Sequence, residues 1–430
     1  MKDTMVKVSI STLPPHTLPP SMAPHSDSVT PSMCPPRNIR ALSWQWTMPG
    51  TVAHLACPPG TSGKASWRCQ ESGTPYWATP SPDLSSCQSL WMDRIILELR
   101  KSNMVLVLAS ELMQYVSANA LYGGDVRSAV NAMTIMVEKM GYQVERVPTM
   151  EQREAMVMEL VQAVTKTASA LMSEGNLPAW QDLATSQRTR FLGNMVATLE
   201  RAASLLPSSL GPDREVSVSS TNLLMTVRRM SFRNIHRVHL PSMASLATPT
   251  WRDYQDTVEV PSLVLMENMG AEGAHVIFLS WRHMEELVEV EEGRVVNSQV
   301  VHLSFGGEVG KPVVREPLTL TFQHLEEGLV EPRCIVMTEE DGWTDIHCRL
   351  VHTNTTHSSC HCSRAGTIAL TMQDQPNQGV DRINFLVTIV IAISVSIVIF
   401  VSAILALIYC YRLKVTKAKC CPIKSAFVIS

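Results

Sequence analysis

The sequence lacks any excess of charge of one sign. Its 430 residues carry 36 Lys and Arg against 39 Asp and Glu, a net charge of −3. That balance removes the bulk electrostatic argument for nucleic acid, and no nucleic-acid partner is expected. A signal-peptide core is missing too: Met1 to Ile10 holds no apolar stretch of the required kind. Cys-x-x-Cys pairs are absent, which argues against a zinc ribbon. No long-period repeat is evident in the part that reads as helical. Membrane-length hydrophobic runs are reduced to a single one, close to the C-terminus.

That run, Phe385 to Tyr411, has no charged residue. At 1.5 Å per residue it covers the roughly 30 Å hydrocarbon core of a bilayer. Arg412, Lys414, Lys417, Lys419 and Lys424 follow it, whereas Arg382, beside Asp381, is the one basic residue close before it. The positive-inside rule then predicts a cytoplasmic C-terminus and an extracellular N-terminus. Eight of the 11 cysteines precede the run, in two groups of four: Cys34, Cys57, Cys69 and Cys87, then Cys334, Cys348, Cys360 and Cys362. Such an even set fits an oxidising compartment, so the region reads as an ectodomain. Cys410, Cys420 and Cys421 lie at or beyond the far edge of the run. Cys420 and Cys421 are palmitoylation candidates, with plain reduced thiols as the alternative. The expected location is the plasma membrane, with the lipid bilayer as a partner. The missing signal core leaves a reverse anchor or a start that lies upstream. The second is favoured, because a reverse anchor would have to carry nearly the whole chain across after synthesis.

The predicted fold is that of a multidomain membrane protein. Residues 1–33, rich in Pro, Ser and Thr, read as a disordered linker. Residues 34–88 form a small disulfide-rich unit with Trp44, Trp46, Trp67 and Trp77, its core too small to do without cross-links. Residues 89–207 read as helical. Asp125 is the expected N-cap of one helix and Gly141 its stop, and Thr149 with Gln152 the expected capping box of the next. Phe191, Met195, Leu199, Ala202 and Leu206 make an apolar stripe ended by Pro207. The methionines in these stripes are core fillers. From 208 to 372 the period falls to two, as in Val216-Val218, Val301-Leu303-Phe305 and Leu318-Leu320-Phe322, which argues a β-sandwich. A stalk (373–382), a transmembrane helix (383–411) and a cytoplasmic tail (412–430) complete the prediction.

Two readings compete for Cys334 to Cys362: structural disulfides, or a metal site drawing on His347, His357 and His361. The oxidising context and the apolar strands nearby favour disulfides. No metal and no cofactor is expected.

Gly342-Trp343, Cys348-Arg349-Leu350, Thr353-Asn354, His357, Cys360-x-Cys362 and Ala369-Leu370-x-Met372 resemble the GPS motif of adhesion G-protein-coupled receptors. That motif closes the GAIN domain, a helical subdomain followed by a β-sandwich, which is the order read above. Trp91 and Tyr122-x-Gly124-Asp125-Val126 resemble the latrophilin helical subdomain. Val295 to Val300 with Pro317 to Leu325 resemble its sandwich. Cys57-Pro58-x-Gly60-Thr61-x-Gly63, Arg68-Cys69 and Pro82-Asp83-Leu84-Ser85-x-Cys87 resemble the hormone-receptor domain that precedes it. The resemblance implies the pairs Cys34–Cys69, Cys57–Cys87, Cys334–Cys360 and Cys348–Cys362. Spacing alone does not choose them.

Most receptors of this family cut themselves in this motif at His-Leu-Thr, which supplies a base and a hydroxyl nucleophile. Aligned on Cys360-x-Cys362, those positions here are Arg364, Ala365 and Gly366. Arginine is no base at neutral pH and glycine has no hydroxyl, while Thr367 stands one place late. The chain is therefore expected not to be an enzyme. Gly366 to Met372, the tethered-agonist strand of the family, is expected to remain as the last strand of the sandwich. Asn354-Thr355-Thr356 is the one glycosylation sequon on the extracellular side.

The resemblance implies the ligand-binding and adhesion region of a latrophilin-like receptor, ending after its first transmembrane helix, whether from a truncated gene model or a short product. The alternative is a true single-pass adhesion or decoy protein. Its extracellular protein or peptide ligand is not legible. A G protein becomes a partner only in a full seven-helix receptor.

Overall fold

The computed structural model describes residues 33–71, 73–102, 104–207, 210–271, 273–306, 312–338, 342–374 and 393–409. The linker, most of the stalk, Cys410, Cys420, Cys421 and the tail lie outside them. Among the described residues no helix is long and apolar enough to cross a membrane. Of the predicted span, residues 393–409 are described and are helical. The chain divides into two compact units at Cys87 and Gln88.

The first unit is built from short strands around tryptophan. Arg37–Ile39 and Leu42–Trp44 form a hairpin whose two turn residues, Arg40 and Ala41, both take positive φ, as a tight primed turn requires. Lys64–Gln70 pairs on one side with Val52–Ala56 and on the other with Tyr76–Trp77. Trp67 and Trp77 stack at 4.2 Å between centroids, and Trp44 meets Trp67 edge-on at 5.5 Å. Cys34–Cys69 and Cys57–Cys87 close the unit.

The second unit begins with six helices, Leu90–Lys101, Val105–Ala118, Gly123–Val144, Met150–Leu171, Leu177–Gln181 and Thr185–Ala203. Ser89 starts the first by accepting from Met92 N at 3.3 Å. Asp125 is not the N-cap of the third helix. It sits inside the first turn and accepts from the backbone N–H of Tyr122 (3.1 Å) and of Ser89 (2.7 Å), tying two helix starts together. Burial raises its carboxyl above the ordinary range against those hydrogen bonds. Gly141 does not end that helix, which runs to Val144; one interior glycine costs only about 1 kcal/mol. Thr149 holds the N-cap position, yet its hydroxyl makes no capping bond, because it and Gln152 are exposed and water can serve the first-turn amides.

Two sheets follow. The eight-stranded sheet runs Gly342–Thr344, Val330–Thr338, Gly366–Gln373, Val300–Gly306, Ala274–Trp281, Leu223–Met230, Glu215–Ser219, with Arg294–Val296 also pairing Gly366–Gln373. The five-stranded sheet runs Val238–Leu240, Thr257–Val260, Leu318–Gln323, His357–Cys362, Cys348–Thr353. A short helix, Ser262–Glu267, starts directly after Pro261, which fits a proline at a helix start.

The larger sheet is the middle layer of three. Ile277, Leu279, Met225 and Val227 join the helical core, while Val276, Phe278 and Leu224 join the core shared with the smaller sheet. This explains why Ala274–Trp281 is buried almost throughout and does not alternate. The smaller sheet has one covered face. Leu318, Leu320 and Phe322 point in and alternate with Thr319 and Thr321, as period two demands.

Candidate functional site

The site lies where the two sheets are stapled beside the last strand. Cys334, in the larger sheet, joins Cys360 in the smaller one, so this disulfide fastens sheet to sheet. Cys348 joins Cys362, its partner in register across the hairpin Cys348–Thr353 and His357–Cys362. With the two bonds of the first unit, these are the pairs the family resemblance implied. All eight sulfurs are thereby consumed. His357 spends its ring nitrogens on Thr356 Oγ1 (2.9 Å) and Gln255 Oε1 (3.0 Å). Among the described residues the side chains that converge as metal ligands would are His283, Glu285 and Glu286, none of them from the predicted set.

After Cys362 the chain turns and enters the last strand, Gly366–Gln373. Ser363 N donates to His347 O at 2.8 Å, anchoring the turn. Ala365 is buried, and Gly366 adopts φ +144°, a conformation that side-chain-bearing residues rarely take. The position where the family carries its hydroxyl is thus glycine in backbone as well as in name. The strand is central: Leu303, His302 and Val301 pair with Gly366, Thr367 and Ile368, while Val336, Ile335 and Cys334 pair with Ile368, Ala369 and Leu370. Ile368, Ala369 and Leu370 are wholly buried. Further bonds hold it along its length. Leu370 N donates to Ser298 Oγ (2.9 Å), Asn297 N to Leu370 O (2.8 Å), and Arg294 Nη2 to Thr371 O (3.0 Å).

Thr367 is where chemistry gathers. Its Oγ1 lies 3.0 Å from Nδ1 of His302, directly across the ladder. The far nitrogen, Nε2, stands 3.3 Å from Oε2 of Glu200, on the sixth helix. Burial pushes the Glu200 carboxyl up, but the nearby His302, helped by Ser304 and Arg201, outweighs it and leaves the group below its ordinary value. A carboxylate, an imidazole and a hydroxyl so line up from the helical layer to the last strand. Of the three the sequence singled out Thr367 alone. His302 lies in an alternating strand like any other, and no local spacing links it to Glu200. Arg364, by contrast, is half-buried and enters no ion pair among the described residues.

Asn354 occupies the exposed tip of the hairpin beyond Cys348. Its Oδ1 accepts from Thr356 N (2.9 Å) and His357 N (2.8 Å). This turn offers the sequon to solvent.

Comparison with known proteins agrees with this layout. The hormone receptor domain model matches residues 31–90, the AGRL2-4 GAIN subdomain A model residues 91–207, and the GPS model, described as GAIN subdomain B, residues 215–376. Latrophilin Cirl of Drosophila ananassae is 26% identical over 474 aligned residues, covering 89% of this chain and 27% of that protein. Adhesion G protein-coupled receptor L1 of Rattus norvegicus is 24% identical over 400 residues, covering 83% of this chain and 26% of that protein. The chain thus spans about a quarter of the length of these relatives. The full extracellular region of zebrafish Gpr126/Adgrg6 overlaps 77% of this chain at 16% identity, with a TM-score of 0.37, too low to carry weight. With a hormone receptor domain followed by both GAIN subdomains, the chain is a latrophilin-like adhesion G-protein-coupled-receptor extracellular region.

Proposed function

We propose that this region serves ligand binding and adhesion at the cell surface as an uncleaved unit, anchored by a membrane helix over residues 383–411. The observation that carries the uncleaved reading is Gly366. It has no hydroxyl, and its φ of +144° is unsuited to threonine. Thr367 has a hydroxyl and a basic neighbour, but its peptide bond to Gly366 is held in a paired ladder. An acyl shift would attack the Gly366 carbonyl with the Thr367 oxygen and break the Gly366–Thr367 C–N bond. That distorts a planar amide whose two residues are paired with Leu303 and His302 of the neighbouring strand. The retained strand then works as a fixed mechanical link between the sandwich and the membrane segment. Coupling to a G protein belongs to a whole receptor with further spans, and the ligand is an extracellular protein or peptide. Two experiments test the reading. Impermeant biotin on intact cells must label the chain. A reducing gel of the same sample must show one full-length band, and a C-terminal fragment starting at Gly366 or Thr367 overturns the proposal.

A further inference from the structure

Two helices of the second unit carry matching stripes. Arg127, Asn131 and Thr134 fall on one face of Gly123–Val144, and Arg190, Asn194 and Thr198 on one face of Thr185–Ala203. The helices run in the same direction, in a register fixed by two contacts. Thr134 Oγ1 meets Thr198 Oγ1 at 2.8 Å, and Glu138 Oε1 meets Arg201 Nη1 at 2.9 Å. Counting back from Thr134 and Thr198, Asn131 stands level with Asn194 and Arg127 with Arg190. The stripes line a cleft of about 420 Å³ whose lining holds no carboxylate. The bonded threonine pair lines it, together with Arg201, which is ion-paired to Glu138. The other two arginines of the lining share a level. Arg127 has neither ion pair nor hydrogen bond among the described residues. Arg190 has no ion pair, and its guanidinium lies 4.9 Å from the ring of Phe191. Other arginines of this unit do have carboxylate partners, as Arg188 has Glu289, Arg214 Glu154 and Arg237 Glu259.

Arg127 and Arg190 bring two positive charges to a cleft whose lining holds no carboxylate, and an anion there is attracted by both. From the arginine level to the threonine level the cleft runs about 10 Å along the helices, at 1.5 Å per residue. The ligand chemistry is therefore elongated: an anionic group for the guanidinium pair, then hydroxyl and carbonyl groups for the asparagine amides and threonine hydroxyls. Guanidinium forks match tetrahedral oxyanions in two-point contacts. We infer that this cleft binds a segment of sulfated glycan, with a sulfate between Arg127 and Arg190 and sugar hydroxyls along the Asn131–Asn194 and Thr134–Thr198 levels. The extracellular reading enters only in choosing the sulfated glycan as the source of the anion.

The test uses the purified full chain in detergent micelles and a fluorescent heparin octasaccharide. Binding is expected in about 50 mM NaCl and weakens as salt rises. R127Q/R190Q is expected to lower the affinity about tenfold or more. R146Q/R349Q, removing the same charge elsewhere on the surface, should change it less than about twofold. N131A/N194A keeps every charge and should weaken the octasaccharide while leaving competition by free inorganic sulfate unchanged; it also stands in if the arginine double variant fails to melt like the parent. Equal losses from both arginine doubles, equal binding of the fully desulfated octasaccharide, or binding only to phosphatidylserine vesicles would each overturn the inference. Because the protein is purified, failure here leaves the surface-labelling test of the extracellular reading untouched.

Discussion

Thr367 Oγ1 and His302 Nδ1 stand 3.0 Å apart across adjacent strands, and the far side of the same imidazole faces Glu200 of the helical layer. The last strand is therefore held from outside its own sheet as well as within it. Thr367→Val removes the hydroxyl at little change in volume and leaves the largely buried His302 without that partner. The expected loss is about 1–2 kcal/mol, a drop of roughly 2–8 °C in Tm by calorimetry. Val in place of Thr with an unchanged Tm would show that the contact holds nothing.

The acid limb of stability should register the same contact. The carboxyl of Glu200 titrates below its ordinary value when folded, so its contribution is present above the unfolded value of 4.5 and is lost as pH falls through the lower folded one. Melting curves of the parent and Glu200→Gln taken from pH 7 down to pH 3 should converge in the acid. A gap that stays constant over that range would assign the loss to packing.

Asp256 predicts the opposite slope. It is buried with Oδ1 accepting from Gln323 N at 2.7 Å and Oδ2 unpartnered; burial, reinforced by the charge of Glu285, pushes its pKa to about 7. A raised carboxyl costs stability as pH climbs from 3.8 through 7, and the cost is full above that. Asp256→Asn keeps an acceptor for Gln323 and abolishes the charge. It should raise Tm at pH 8 by about 2–4 °C or more, roughly 1 kcal/mol upward, and leave it unchanged near pH 4. A Tm gain of equal size at both pH values would contradict the assignment.

Gly366→Thr restores the hydroxyl of the family motif but not its geometry. Threonine at φ +144° is strained by about 1–3 kcal/mol, so the variant should be less stable and still uncut. Efficient cleavage in this single variant would mean that the missing hydroxyl alone, and not the backbone, blocks the reaction.

Asn354→Gln should remove one glycan from secretory-pathway material, seen as a faster gel band matching that of glycosidase-treated parent. No change in mobility would show an unused sequon.

Much of this was legible beforehand for physical reasons. Phe191, Met195, Leu199 and Ala202 repeat at helical spacing because one stripe of their helix is buried. Leu318, Leu320 and Phe322 alternate because their sheet has one covered face. Ala274–Trp281 does not alternate, since helices cover its other side, and only the packed chain reveals a three-layer order. The cysteine pairs came from family resemblance and not from spacing. The Glu200–His302–Thr367 line and the double stripe of Arg127 and Arg190 join residues 65 or more positions apart in some steps and 63 in another. No periodicity encodes such long-range meetings.

On the proposed reading the chain stays whole at Gly366–Thr367. Mass spectrometry of the purified protein, reduced, denatured and freed of glycan, decides this, because a cut chain held together by its folded sandwich would separate under these conditions. A single species at the full-chain mass is the predicted result. Two species whose masses sum to that of the chain plus one water, the smaller beginning at Thr367, would contradict it and make His302 the base of a displaced cleavage site.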